Sequence, residues 1–470
     1  MNRKASLLTA LALLAGCTML GPDYRRPEFS LPAQFEYAKS EPEAAVVSGE
    51  WWQLFGDPLL DEFVAAARTN NADARLAAAR VAEAEAAFRE AGALLYPDIT
   101  AGYARDRSRV SAQIVPPAAE PRIRSQYQAI VSTTYEIDFW GRVRRATEAA
   151  RAALLSSRYG QDVTALTLAG ATAQTYFGLR SLDAQLAVLA QTVQTRSEAL
   201  ALATARVQSG LAPELDIHQA QGALSDALVQ RRDVERQRAV LERQLAELTG
   251  RPDLKVAAGD LFKLPVPPTP PPGLPSTLLD RRPDIRATEQ DLVAANAQIG
   301  VARAALFPTL SLTAALGSQS AAFSDLLTSG TGIWSIGYGI ALPIFDAGRR
   351  SARVDQAKAR ERQALANYQR AIETAFREVS EGLINVAQSG ATEADLEARL
   401  QAARNALRLS NLRYEAGYSP FLEVLDAQRT ANDAELAFVR NRQARLSFSV
   451  DLMKALGGGW NDAMPVQAAR

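Results

Sequence analysis

Catalytic and metal chemistry in proteins leans on histidine, cysteine and convergent carboxylates, and this chain is poor in the first two. Of its 470 residues one is histidine, His218, and one is cysteine, Cys17. A lone histidine leaves no His-pair metal motif and no spare partner for a Ser–His nucleophile. A lone cysteine excludes an internal disulfide framework and any multi-cysteine zinc or iron–sulfur site. The glycine run Gly457-Gly458-Gly459 lacks the preceding strand, the following helix and the lysine of a phosphate loop, and reads as a helix stop. The 52 basic and 52 acidic residues cancel to a formal charge of zero. No bulk field therefore draws in nucleic acid or anionic lipid. No acid, base and nucleophile converge, so no catalytic residue, metal site or cofactor is expected. His218 reads as a solvated position on a helix surface.

Cys17 has a different chemistry. Arg3 and Lys4 precede an apolar run from Ala5 to Gly16. That run is too short to span a bilayer as a helix, which takes ~20 residues, and reads as a secretory signal peptide over 1–16. Its end, Leu14-Ala15-Gly16-Cys17, is similar to a bacterial lipobox, whose cysteine is acylated and becomes the first mature residue. Thr18 follows, rather than an inner-membrane-retaining aspartate, so that similarity favours the outer membrane. No later stretch reaches ~18 uninterrupted apolar residues, and a chain without such a stretch crosses a membrane only as a closed β-barrel.

The elements that position these residues come in two copies. Leu264 to Leu278 is proline-dense and suits an extended linker. On either side, Tyr96-Pro97 recurs as Phe307-Pro308, and Arg206-x-x-x-Gly210 as Arg413-x-x-x-Gly417. Gly141 and Gly348, like Gly210 and Gly417, differ by 207 positions. The chain therefore divides into the signal peptide, an N-terminal lipid-anchored segment over 17–72, a first repeat over 73–263, a linker over 264–283, a second repeat over 284–459 and a tail over 460–470. Each repeat orders as a short helix, two strands, a very long helix, a turn and a medium helix.

The short helices are expected over Asp73–Leu94 and Asp284–Leu306, each ended by a proline. Strand periodicity is clearest at the odd positions from Tyr127 to Phe139 and the even positions from Trp334 to Ile344. Their hairpin mates, Ile99–Val110 and Leu310–Leu316, alternate more weakly. Alternation alone fits a soluble sheet with one buried face as well as a membrane barrel. The signal peptide and the aromatics at the strand ends tip the reading towards the barrel, with Tyr96, Phe139, Trp140, Phe307 and Phe345 as an interfacial girdle. Val143 to Gln208 and Arg350 to Glu415 are free of proline and apolar at helical spacing. Helices of that length run ~100 Å and cannot lie within a ~30 Å hydrocarbon core. Partner helices follow over Leu215–Leu248 and Leu422–Leu456. Arg105, Arg107 and Arg109, with Arg122 and Arg124, flank the first hairpin tip and read mainly as a solvated outer rim, with contact to anionic lipopolysaccharide as the lesser alternative.

Four strands cannot close a barrel, and an open sheet in lipid leaves backbone groups unpaired, so transmembrane strands require oligomerisation. The lipobox, Trp51-Trp52-x-x-Phe55-x-Asp57-Pro58-x-Leu60, the duplicated unit, and the stretch from Gly417-Tyr418-Ser419 through Leu422-Glu423-Val424-Leu425-Asp426-Ala427-Gln428-Arg429 together resemble the TolC-like outer-membrane efflux family. They come closest to its lipoprotein branch, of OprM or NodT type. The resemblance implies a mainly α fold with a transmembrane β-barrel: a homotrimer with twelve barrel strands, four per chain, on a periplasmic α-helical barrel. It also implies an equatorial region that includes the N-terminal segment. The implied function is the passive exit duct of a tripartite efflux system, projecting from the outer membrane into the periplasm. Its partners are a periplasmic adaptor, an inner-membrane transporter and outer-membrane lipid, and there is no enzymatic role.

The family's periplasmic constriction matches Leu422 and Asp426, with Glu423 and Arg429 beside them. A carboxylate in a first helical turn also simply complements the helix dipole. Gly210, Leu211, Gly417 and Tyr418 fall at the ends of the long helices and are expected as adaptor-docking tips. A lipid-anchored adaptor is the alternative reading, but adaptors usually carry one hairpin and a lipoyl-like domain. A coiled-coil lipoprotein would account for the helices and not for the strands.

Overall fold

The structure is a computed structural model and describes residues 19–29, 35, 49–109, 111, 123–270 and 278–458. Cys17, the signal peptide, Arg122 and the tail lie outside these residues. A 3-10 turn at Trp51–Phe55 leads to α1 (Pro58–Asn70) and α2 (Ala72–Ala93). Strands β1 (Asp98–Arg109) and β2 (Ile123–Ile137) precede the 67-residue α3 (Arg142–Gln208), and α4 (Glu214–Leu248) closes the first copy. After a short α5 (Leu278–Arg281), the second copy runs α6 (Pro283–Ala304), β3 (Thr309–Ser320), β4 (Gly332–Ala341), α7 (Arg349–Glu415) and α8 (Phe421–Ala455). α1 has no forerunner in the sequence reading, and the short α5 falls within the linker expected over 264–283.

Two strands end sooner than their alternation suggests. β2 stops at Ile137 because the Asp138 carboxylate accepts from the backbone N–H of Val143 and Arg144 at 3.0 and 2.9 Å, which starts α3. β4 stops at Ala341, two residues before Pro343, which has no N–H to give a ladder. β3 is longer than its weak alternation implied, because Gly317 and Ser318 pair on both sides and Gln319 and Ser320 continue the ladder with β2.

Contacts divide the chain into two compact units, and these are not the two repeats, since each repeat supplies both. One unit comprises 1–28, 80–157 and 287–369, the other 29–79, 158–286 and 370–470. The first holds one antiparallel sheet in the order β1-β2-β3-β4, so β2 of the first copy pairs with β3 of the second. In the same unit residues 20–26 are tied to helices that adjoin the sheet. Leu20 donates to the Trp140 carbonyl at 3.1 Å, Arg145 meets Asp23 at 2.6 Å, and Asn296 donates to the Pro22 carbonyl at 2.9 Å. Arg26 grips the buried Glu289 with two bonds of 2.8 and 2.6 Å, and Tyr24 donates to the same carboxylate at 3.2 Å. Burial and the charge of Glu289 push the Tyr24 phenol well above its usual pKa.

The second unit has the larger apolar core. Trp51, Phe55, Leu60 and Phe63 are buried against Tyr176, Phe177 and Leu179 of α3 and Leu245 of α4. The Phe55 and Phe177 rings stand 4.8 Å apart. Asp57 caps α1 at the Leu59 N–H at 2.9 Å, and its other oxygen accepts from the Tyr176 hydroxyl. Nearby, Asp183 is almost fully buried between Arg180 at 3.1 Å and Arg238 at 2.6 Å, and it also accepts from the Gly259 N–H at 3.0 Å. Both carboxylate oxygens are thus partnered, which a buried carboxylate requires.

Candidate functional site

Two features of the structure bear on function: the faces of the sheet and the far ends of the long helices. Across the sheet, Ala101, Val131, Leu316 and Trp334 lie in one cross-strand row, and Tyr135, Leu312 and Tyr338 in another. The alternating apolar positions of all four strands therefore share one face. The opposite face is mostly small and polar, Ile130 and Ile333 apart. Thr100, Ser132, Ala315 and Ser335 form one row there and Thr134, Thr313 and Gly337 another, with the Thr100 and Ser132 hydroxyls 3.1 Å apart. The large side chains of the apolar face are exposed: Trp334, Ile336 and Tyr338 are each at least 75% accessible. An apolar surface of this extent on one chain marks contact with lipid or another apolar partner. Among the described residues no helix is long and apolar enough to cross a membrane.

Of the five expected girdle residues, three come together. Trp140 stacks obliquely on Phe307 with centroids 4.7 Å apart, meets Phe139 edge-on at 4.9 Å, and donates its indole N–H to the Pro308 carbonyl at 2.8 Å. Tyr96 and Phe345 project as exposed rings. A second aromatic group, not anticipated, lies at the other end of the strands, where Phe323 meets Tyr103 and Tyr127 at 6.2 and 6.1 Å. Tyr127 and Tyr103 were legible at alternating positions, whereas Phe323 sits in the β3–β4 connection and carries no periodic signal.

At the other feature, α3 and α7 end alike. Leu211 N–H donates to Arg206 and Gly210 N–H to Val207, at 2.8 and 3.0 Å; Tyr418 donates to Arg413 and Gly417 to Tyr414 over the same distances. Both glycines take positive φ, +71° and +78°, as this helix stop demands. Leu211 and Tyr418 are 74% and 80% exposed. His218, near the start of α4, is exposed as well.

On α8 the first turns divide by face. Phe421 and Val424 are buried with Tyr414, Ala203 and Ala220. Leu422, one turn before Asp426, is 61% exposed. Asp426 pairs with Arg429 at 2.7 Å with both side chains largely exposed, while Glu423 turns to Arg413 of α7 at 3.4 Å. Leu422, Asp426 and Arg429 thus form one exposed group, and Glu423 belongs to another. Sequence reasoning missed Arg206. Its guanidinium donates to the Tyr414 carbonyl at 2.9 Å and lies over the Tyr414 ring at 4.5 Å, tying the end of α3 to the end of α7. Its signal was the repeated Arg-x-x-x-Gly, which called for a partner to each arginine.

The family model described as "Outer membrane efflux protein" matches residues 64–251 and 274–458, most of the chain. The chain belongs to the outer membrane efflux protein family. It is 36% identical to the toluene efflux pump outer membrane protein TtgC of Pseudomonas putida, over 97% of this chain and 95% of that one. It is 31% identical to the "Probable outer membrane lipoprotein SilC" of Salmonella typhimurium, over 96% and 98%. Among solved structures, the open-state MtrE outer membrane channel of Neisseria gonorrhoeae superposes with a TM-score of 0.85 at 30% identity, covering 94% of this chain and 98% of that one. The protein is an outer-membrane exit duct for efflux, and its place is the bacterial outer membrane.

Proposed function

We propose that three copies of the chain close one twelve-stranded barrel and that the resulting trimer passively conducts efflux substrates out of the periplasm, as the outer part of a three-component pump. One observation carries this reading: β1 and β4 are the two edges of a four-stranded sheet whose apolar face is exposed. An edge in hydrocarbon leaves backbone groups unpaired, so the edges must meet those of other copies. Two copies would give eight strands, a barrel whose interior side chains fill; twelve leave room for a lumen, and the small residues of the other face suit one. An inner-membrane transporter supplies the driving force and a periplasmic adaptor docks at Gly210, Leu211, Gly417 and Tyr418. Leu422 and Asp426, supported by Glu423 and Arg429, narrow the periplasmic end. Cys17 carries the lipid anchor. In favour of the anchor, Leu20 and Asp23, three and six residues further on, are held beside the helices that adjoin the sheet.

Purified protein should run as a heat-dissociable trimer on gels and form discrete single-channel conductance steps in planar bilayers. A monomer that conducts nothing would overturn the proposal. Cys17→Ser should abolish incorporation of labelled fatty acid while the trimer persists, because the barrel inserts by its own apolar face; label on the variant would refute the anchor.

A further inference from the structure

The outward face of β1 changes character along its length. Ile99, Ala101 and Tyr103 are followed, on the same face, by Arg105, Arg107 and Arg109, which stand opposite Tyr127, Ser125 and Ile123. The other face of that stretch carries Asp106 and Ser108 instead, and Arg124, opposite Ser108, belongs there too. Alternation thus divides the arginines that the sequence groups together, and three of them continue an apolar stripe. They lie at the strand end away from α2 and α3. Helices as long as α3 must stand in the periplasm, so that end is the exterior one.

Around the arginines the surface is built in layers. Arg105 lies over the Tyr127 ring at 5.4 Å, and Tyr127 and Tyr103 both pack on Phe323. Further along the same face Val131, Ala314, Leu316, Trp334 and Ile336 line an apolar depression of about 440 Å³. Among the described residues none of the three arginines is paired with a carboxylate. Alternate strand residues are ~6.7 Å apart, so the cationic stretch runs ~13 Å along the strand.

We propose that Arg105, Arg107 and Arg109 bind the phosphate groups of an outer-leaflet glycolipid whose acyl chains descend over the aromatic pair into the apolar depression. Guanidinium groups match phosphate bidentately, and they are the cations best suited to a partly dehydrated interface. A solvated rim gives no reason for three arginines to keep to one face while Asp106 and Arg124 offset each other on the opposite face of the same stretch. The proposal rests on the reading of this face as lipid-facing.

The test compares the wild-type trimer with the R105Q/R107Q/R109Q variant, both purified in nonionic detergent and incubated with rough-type lipopolysaccharide. After washing, native mass spectrometry counts the bound glycolipid. The wild type should retain about tenfold more than the variant, in keeping with the attraction of clustered basic residues for anionic lipid surfaces. Lysine at all three positions should restore part of the difference, and millimolar inorganic phosphate should not displace the glycolipid, since acyl contacts hold it too. Equal retention by wild type and glutamine variant would overturn the site, as would full displacement by inorganic phosphate, which marks a plain anion site. Single-channel conductance is recorded on both proteins. Conductance with equal retention sinks the glycolipid site alone, whereas no conductance from either protein sinks the barrel reading and the site with it.

Discussion

Asp162, in α3, shows how one side chain can report on its surroundings. Burial lifts its pKa to about 6 against a smaller opposing pull from Arg68. The folded chain therefore holds a proton on Asp162 between about pH 4 and 6 that the unfolded chain releases. Its contribution to stability is greatest below pH 4 and is lost as pH rises to 6 and beyond. Asp162→Asn should raise the melting temperature at pH 7.5 and leave it nearly unchanged at pH 4; equal shifts at both would show that the carboxylate is not the cause. Asp426 differs because it is exposed and paired to Arg429 within one helix. Such a pair contributes ~0.3–0.5 kcal/mol. Replacing Leu422 and Asp426 together with alanine should therefore leave thermal stability almost untouched. It should also raise the conductance of the trimer and weaken its block by multivalent cations. Unchanged conductance and block would leave Asp426 as a helix-dipole partner only.

Among the elements, the helix ends carry the sharpest expectation. The turns after α3 and α7 stop on glycines in the left-handed region, and a Cβ added at Gly210 or Gly417 would meet open space. The conformation alone costs an ordinary residue ~1–2 kcal/mol, while asparagine tolerates it better. Gly417→Asp should lower efflux in cells without lowering trimer abundance, whereas Gly417→Asn should keep most of it. That contrast separates a charge placed on a docking surface from strain in the turn. Full efflux with the aspartate would remove Gly417 from the docking surface.

The whole assembly makes the surface of the sheet legible. Ile336 is 78% exposed on the isolated chain, and on a water-facing strand its replacement by lysine would change little. On a lipid-facing strand near the bilayer midplane the same change costs ~2–4 kcal/mol. Ile336→Lys should therefore reduce the yield of heat-resistant trimer in the outer membrane, while Ser335→Ala, on the opposite face, should be tolerated. Equal tolerance of both would mean that the apolar face does not meet lipid. The arrangement also explains why the compact units cut across the repeats. Each copy delivers its two strands to one unit and most of its long helix to the other, so duplication in sequence does not become a pair of domains.

By itself the sequence determined most of the elements, α1 and α5 apart. Period-two alternation, long runs without proline and glycine helix stops all act through residues a few positions away, and such signals survive without a fold. Local rules also marked the turns at Gly210 and Gly417, because a left-handed stop is read from the glycine and its helix alone. Tertiary structure decided what meets what. Pairing of Tyr127 with Ser320 joins residues nearly two hundred positions apart, and only that register puts four weak or strong alternations on one face. The same holds for Arg206 on Tyr414, for Asp57 beneath Tyr176, and for the strap of residues 20–26 across Arg145, Asn296 and Glu289. It also separated Arg105, Arg107 and Arg109 from Arg124, because which face a strand residue takes depends on the partner strand that fixes the face.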